Sequence, residues 1–187
     1  MPPRIVLQQA DIARALTRIS HEILESNRGP DNLVILGIPT RGVILAERIA
    51  ELISDISGRP VSSGSLDVTM YRDDLSRNPT RAPSPTRVPA AGIDGSVVVL
   101  VDDVLYSGRT IRSALDALGD IGRPRIVRLA TLIDRGHREL PIRPDFVGKN
   151  LPSAQGERIY VRLHESDGEE FVSIDSGKRT GQNGEFT

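Results

Sequence analysis

The stretch from Val97 to Thr110, Val-Val-Val-Leu-Val-Asp-Asp-Val-Leu-Tyr-Ser-Gly-Arg-Thr, limits what this chain can fold into more than any other. Val97 through Val101 form an apolar run without alternation, the pattern of a strand buried on both faces of a parallel sheet. Such a strand needs crossover helices above and below it, so the predicted class is α/β. Two adjacent carboxylates, Asp102 and Asp103, follow at the carboxyl end of the run, where open α/β sheets place their ligand sites. A short loop with Ser107, Gly108 and Thr110 then opens a helix with apolar Ile111, Ala114, Leu115 and Leu118. Loop amides and the positive end of the helix dipole converge there on an anion. The stretch therefore offers acceptors for hydroxyls or a metal on one side and a phosphate nest on the other, as a sugar phosphate requires.

The flanking chain repeats the same grammar. Ile12, Leu16, Ile19 and Ile23 recur at helical spacing and Gly29-Pro30 ends the helix. Its opposite face carries Arg14, Thr17, Arg18, His21 and Arg28, a solvated face on the plainest reading. Leu33–Ile38 is predicted as a buried strand leading through Pro39-Thr40-Arg41-Gly42 into a helix through Ile53. Arg41 is then either a surface turn arginine or an anion ligand at a strand's carboxyl end. Residues from Pro60 to Tyr71 read as extended, and residues 72–95, with prolines at 79, 83, 85 and 89, show no core face. Their first half is expected to be a lid and the proline-rich part an insertion. Helix residues after the motif stop at Gly119, and Arg125–Ile133 makes another strand, predicting right-handed crossovers in a mostly parallel sheet. Ile159–Leu163 and Phe171–Ile174 pattern as a hairpin around Asp167-Gly168. One domain over 1–175 and a frayed polar tail over 176–187 are expected.

Composition removes several chemistries. The 187 residues carry a net charge of −1 and no cysteine, which excludes disulfides, thiol catalysis and cysteine-held metals. No apolar run reaches membrane-spanning length and no signal peptide is evident, so a cytoplasmic protein without a membrane partner is expected. With three Phe, three Tyr and no Trp, a platform of stacked aromatics for single strands is not available. Charge is nonetheless segregated. Residues 123–149 hold seven basic against three acidic side chains, whereas 165–175 hold five acidic and no basic ones.

Neither a Walker loop nor a dinucleotide fingerprint fits the central stretch, because Gly-Lys-Ser/Thr and Gly-x-Gly-x-x-Gly are both missing from it. An apolar strand, two acids, a spacer, Ser-Gly and a helix-opening Thr instead resemble the phosphoribosyl-diphosphate (PRPP) signature of type I phosphoribosyltransferases. The likeness extends to Ala15–Ile19, Thr40–Gly42, Tyr71–Leu75, Asp134–Arg143 and Gly148–Asn150. Together these resemble the branch of bifunctional bacterial pyrimidine-operon regulators with uracil phosphoribosyltransferase activity, the string at 134–143 most specifically.

That resemblance implies the type I phosphoribosyltransferase fold, a mostly parallel twisted sheet flanked by helices, with a lid over about 71–92 and a small hood from about 145. It implies that Asp102 and Asp103 meet the ribose hydroxyls of PRPP, directly or through Mg2+. Tyr106, Ser107, Gly108, Arg109 and Thr110 would hold the 5′-phosphate and Thr40 and Arg41 would meet the diphosphate, with Gly42, Arg72, Val104 and Leu105 also among the PRPP-binding residues. Arg41, Asp102 and Asp103 would be the catalytic groups. Asp145, Phe146 and Val147 would form the base site, Phe146 either stacking on the pyrimidine or serving as plain core. Purine-type relatives carry a carboxylate where this chain has Tyr106, so the resemblance points to a pyrimidine. Pro39 departs from the expected lysine, which puts diphosphate affinity in question, and the proline-rich 79–89 segment bears on lid closure.

By the same resemblance Thr17, Arg18, His21, His137, Arg138, Arg143 and Lys149 would bind the leader of a pyrimidine-operon mRNA, with UMP or UTP in the PRPP site as the signal, in a homodimer or higher homo-oligomer. On charge alone, pairing of Arg135–Arg143 with the acidic tail or a neighbouring subunit is the plainer reading. Three functions remain open at this point. They are a uracil phosphoribosyltransferase that also regulates, an RNA-binding regulator with little catalysis, and a plain phosphoribosyltransferase for another base.

Overall fold

The computed structural model describes residues 3–74 and 82–176. Its elements are β1 (Arg4–Gln8), α1 (Gln9–Asn27), β2 (Leu33–Gly37), α2 (Arg41–Ser57), β3 (Ser62–Ser65), a 3-10 turn (Thr69–Tyr71), β4 (Val97–Leu105), α3 (Arg109–Ile121), β5 (Ile126–Asp134), β6 (Phe146–Asn150), β7 (Arg158–Arg162), a one-turn helix α4 (His164–Asp167) and β8 (Phe171–Asp175). The central strand β4 is third in a wholly parallel five-stranded sheet of order β3-β2-β4-β5-β6. Its unbroken apolar run is explained by burial on both faces. Val97, Val99 and Val101 join the core under α1 and α2, while Val98 and Leu100 join the one under α3.

The flanking helices form for the reasons their patterns suggest. In α1, Ile12, Leu16, Ile19 and Ile23 are buried on one stripe, each contributing roughly 2 kcal/mol by leaving water. A reciprocal box between Gln8 and Asp11 starts this helix, and Arg28 in the left-handed region ends it, where the Gly29 amide donates to the Leu24 carbonyl at 2.9 Å. The five-stranded parallel sheet with helices on both faces bears out the expected type I phosphoribosyltransferase fold.

Several details differ from the sequence expectation. β4 continues through the two acids to Leu105, since Asp102 pairs with Thr131 and Val104 with Ile133 of β5. α3 runs past Gly119 to Ile121 and ends at Gly122. Thr69–Tyr71 is a 3-10 turn rather than extended chain. Phe146–Asn150, expected to begin the hood, is the outer strand of the main sheet beside β5. The smaller layer is instead an antiparallel sheet of order β1-β8-β7, in which β7 and β8 pair as expected but β1 was not foreseen. The far edge of β3 is covered by Arg87 in a bridge to Ser65, which blunts an otherwise open edge. Of the expected lid, residues 75–81 lie outside the described residues, as does the tail over 177–187. No described helix is long and apolar enough to cross a membrane.

Candidate active site

The site lies at the carboxyl ends of the parallel strands, where β2 and β4 hand over to α2 and α3. Residues 38–42 press against the end of β4, the Ile38 amide donating to the Val101 carbonyl at 2.9 Å. A Cβ on Gly42 would lie 2.5 Å from the Val101 oxygen, and one on Gly37 would lie 2.3 Å from the Gly42 oxygen. Only glycine permits so close an approach. It brings the loop expected to receive diphosphate beside the acid pair. The Pro39–Thr40 peptide within this loop is cis. A cleft of about 200 Å3 results, lined by Ile38, Pro39, Asp67, Thr69, Arg72 and both acids, with Thr110 at its far side.

Within it Asp102 is 8% exposed, and its Oδ1 accepts the Asp103 amide at 3.0 Å. Burial, then the neighbouring charge of Asp103, push the Asp102 carboxyl well above the usual carboxylate range. Two carboxylates held together in this way favour a cation between them and the ligand. No group of three or more acidic or histidine ligands able to hold a metal occurs among the described residues. The donor set therefore suits a divalent ion that arrives with a ligand supplying further oxygens.

The phosphate loop follows from Tyr106 to the first turn of α3. Gly108 has φ 93, a conformation that favours glycine, and the loop turns there so that α3 starts at Arg109. The first N–H groups of that helix lack intrahelical partners and face the loop. Residues 134–143 brace it from outside. Glu139 and Leu140 amides donate to the Ser107 carbonyl at 2.9 and 3.1 Å. The Arg138 guanidinium donates to the Tyr106 carbonyl at 2.8 Å and to Asp134 at 2.7 Å. Arg135 lies 4.3 Å from the centre of the Tyr106 ring, and His137 packs edge-on against that ring. Arg109 ties Asp73, at the start of the expected lid, to Glu139, each at 2.6 Å.

The expected site residues are therefore only partly gathered. Arg72, Asp102, Asp103, Val104 and Thr110 line the cleft, Ser107 and Arg109 line a second pocket that shares Arg72 and Thr110 with it, and Thr40, Arg41 and Gly42 follow directly on Ile38 and Pro39 of the cleft wall. Asp145, Phe146 and Val147 do not line it. Phe146 is 5% exposed in the core, Asp145 accepts the Leu129 amide at 2.8 Å, and the Val147 carbonyl accepts from Arg18. The expected RNA-binding residues fall into separate groups. Thr17, Arg18 and His21 share α1, and Arg18 also holds the Gly148 carbonyl at 2.6 Å, one residue before Lys149. His137 and Arg138 instead brace the phosphate loop, and Arg143 lines a groove on the α3 side of the sheet.

Sequence reasoning missed Asp67, Thr69 and Ser84 in the cleft, and Arg135 beneath Tyr106. It also missed what holds Arg41. That side chain donates from Nε and Nη2 to Asp167 at 3.1 and 2.7 Å. Seven residues further along α2, Arg48 grips Glu165 and Glu170 in the same way. Glu165, Asp167 and Glu170 of the acidic segment thus pair with Arg41 and Arg48 of α2 and not with the basic stretch 135–143.

A phosphoribosyl transferase domain model matches residues 5–163. The chain is 71% identical over 182 residues to the Bifunctional protein PyrR of Leifsonia xyli, covering 95% of this chain and 99% of that one. It is 62% identical over 171 residues to the protein of the same name from Streptomyces coelicolor, covering 91% and 89%. Among solved structures, a hypoxanthine-guanine phosphoribosyltransferase from Bacillus anthracis superposes with TM-score 0.69 at 16% identity, covering 91% of this chain and 96% of that one. A Trypanosoma cruzi hypoxanthine phosphoribosyltransferase reaches 0.70 at 17% identity, covering 93% and 95%. At such identities the two structures speak to the fold alone.

Proposed function

This chain belongs to the phosphoribosyltransferase family, in the branch of the bifunctional PyrR proteins, and on that premise we propose that it converts uracil and PRPP to UMP and diphosphate and regulates a pyrimidine biosynthetic operon by binding its mRNA leader in response to uridine nucleotides. The observation that supports the catalytic half is one cleft lined by Ile38 and Pro39 of the glycine-bound loop, by buried Asp102 and half-buried Asp103, and by Thr110 in the first turn of α3. A ligand with phosphate at one end, hydroxyls in the middle and diphosphate at the other matches that order.

The chemistry asks for stabilisation of a leaving diphosphate while the anomeric carbon becomes oxocarbenium-like, with water excluded. Residues 107–110 and the α3 N-terminus fix the 5′-phosphate. Asp102 and Asp103 accept from the ribose hydroxyls and offset positive charge growing on the sugar. Arg41 and the backbone of residues 40–42 receive the departing diphosphate. Magnesium fits the acid pair, and when bound it neutralises diphosphate charge that protein donors leave uncovered. Tyr106, held by Arg135 and His137, supplies no carboxylate for protonating a purine ring. The regulatory half rests on Thr17, Arg18, His21 and Lys149 for phosphate contacts, and on His137, Arg138 and Arg143 at and beyond the phosphate loop, in a homodimer or higher homo-oligomer of the cytoplasm.

Magnesium-dependent UMP formation, lost in the Asp102→Asn, Asp103→Asn double variant, tests the enzyme. A panel of uracil, orotate, hypoxanthine and xanthine should give turnover with uracil alone, and preference for any other base would overturn the assignment. His21→Ala with Lys149→Ala should weaken leader RNA binding while UMP formation persists. Unchanged RNA affinity in that variant would remove the α1 face from the interface. RNA binding without measurable turnover would leave the regulator reading alone standing.

A further inference from the structure

Asp167 stands on the short turn between β7 and β8, 126 residues from Arg41 in sequence, yet their side chains form a two-point ion pair. The carboxylate is itself fixed. Its Oδ2 accepts the Leu163 amide at 2.9 Å and the Ser166 hydroxyl at 2.8 Å, and its side chain is 10% exposed. The Arg41 side chain is 29% exposed, and the charge of Asp103 also acts on it. An arginine presents a flat fork of donors, and gripping Nε and Nη2 leaves the Nη1 edge to a second anion in a set direction. Without that grip, the same side chain samples many rotamers that diphosphate binding would have to freeze.

We propose that Asp167 is a positioning residue for PRPP, holding the Arg41 guanidinium so that its remaining donors meet the diphosphate in the orientation the departing group needs. The inference rests on the proposed reaction and adds the C-terminal hairpin to its machinery. Asp167 itself touches no substrate and acts through Arg41. The neighbouring pairs of Arg48 with Glu165 and Glu170 dock the same hairpin on α2 but lie a further two helical turns from the cleft. They separate docking from positioning.

The test compares wild type, Asp167→Asn, Asp167→Glu and Arg48→Gln. It measures KM for PRPP and for uracil, kcat, thermal midpoint, and calorimetric binding of inorganic diphosphate with magnesium. Asp167→Asn replaces one acceptor oxygen by an N–H group facing the guanidinium. It should raise KM for PRPP by about tenfold, the equivalent of one lost charge-assisted hydrogen bond. Diphosphate affinity should fall in parallel, with KM for uracil within about twofold. Asp167→Glu, which keeps the charge, should recover part of the PRPP affinity. Arg48→Gln should lower the thermal midpoint and leave KM for PRPP at the wild-type value. An unchanged or lower KM for PRPP in folded Asp167→Asn would overturn the proposal. So would an equal rise in Arg48→Gln, because loss of hairpin docking would then explain both. If Asp167→Asn does not fold, Asp167→Glu decides: a raised KM for PRPP and weakened diphosphate binding at a wild-type thermal midpoint support the proposal, and wild-type values of both overturn it. A wild-type protein without UMP formation would defeat the proposed function instead, and is told apart by diphosphate binding, which needs no turnover.

Discussion

Asp102 shows what a single side chain costs the fold. Its carboxyl is raised above the ordinary range, so the folded state prefers it protonated, and the stabilisation so gained is complete below the unfolded value and lost as pH rises through the folded one. At neutral pH the charged form is therefore a liability, a cost that the proposed binding of ribose hydroxyls accounts for. Asp102→Asn should raise the thermal midpoint by several degrees and abolish UMP formation, checked by calorimetry and turnover on one preparation. A lowered midpoint would show that the amide cannot occupy the carboxylate's place. Arg138 makes the opposite case. Because it supports the Tyr106 carbonyl, Arg138→Ala should reduce turnover by about tenfold, as loss of a charge-assisted bond suggests. Turnover equal to wild type would leave Arg138 solely to RNA.

At the scale of elements, the contact between the 38–42 loop and the end of β4 sets how far apart the diphosphate loop and the acids lie. Gly42→Ala should destabilise by roughly 2–3 kcal/mol through forced displacement of backbone and lower PRPP affinity more than uracil affinity. Melting and steady-state kinetics would show it, and a variant with normal PRPP affinity would mean the loop yields cheaply. Elements whose burial is written in side chains were legible in the sequence, as β2, β4, α1 and α3 were. β3 was legible as extended chain but not as a member of the sheet, because Ser62-Ser63-Gly64-Ser65 has no apolar pattern and joins through backbone pairing with β2. Asp67 and Thr69 followed β3 into obscurity, and with them the outer wall of the cleft. Phe146 was misplaced as hood because Asp-Phe-Val-Gly reads equally well as loop or edge strand.

Across the whole molecule, charge is segregated along the chain and recombined in space. Of the five acids of 165–175, the folded topology pairs Glu165, Asp167 and Glu170 with Arg41 and Arg48 of α2 and not with the basic stretch. The Arg41 guanidinium holds the Asp167 carboxyl down at about 2, below its ordinary 3.8. Stability from this pair is thus present above the ordinary value and drains away as pH falls through about 2. Acid titration of the thermal midpoint should show wild type more stable than Asp167→Asn at neutral pH, the two converging as pH approaches 2. A constant difference between them down to pH 2 would assign the stability to something other than this ion pair.

One consequence reaches into biosynthesis. β1 has its partner in β8, where Arg4 pairs with Ile174 and Gln8 with Phe171. Pairings so distant in sequence close late and slow folding. A chain still emerging from the ribosome can complete the turn from β4 into α3 from residues near the middle, yet it has no Asp167 to grip Arg41 and no partner for its first strand until its last described residues are made. The grip of Asp167 on Arg41 is accordingly among the last contacts the growing chain can make.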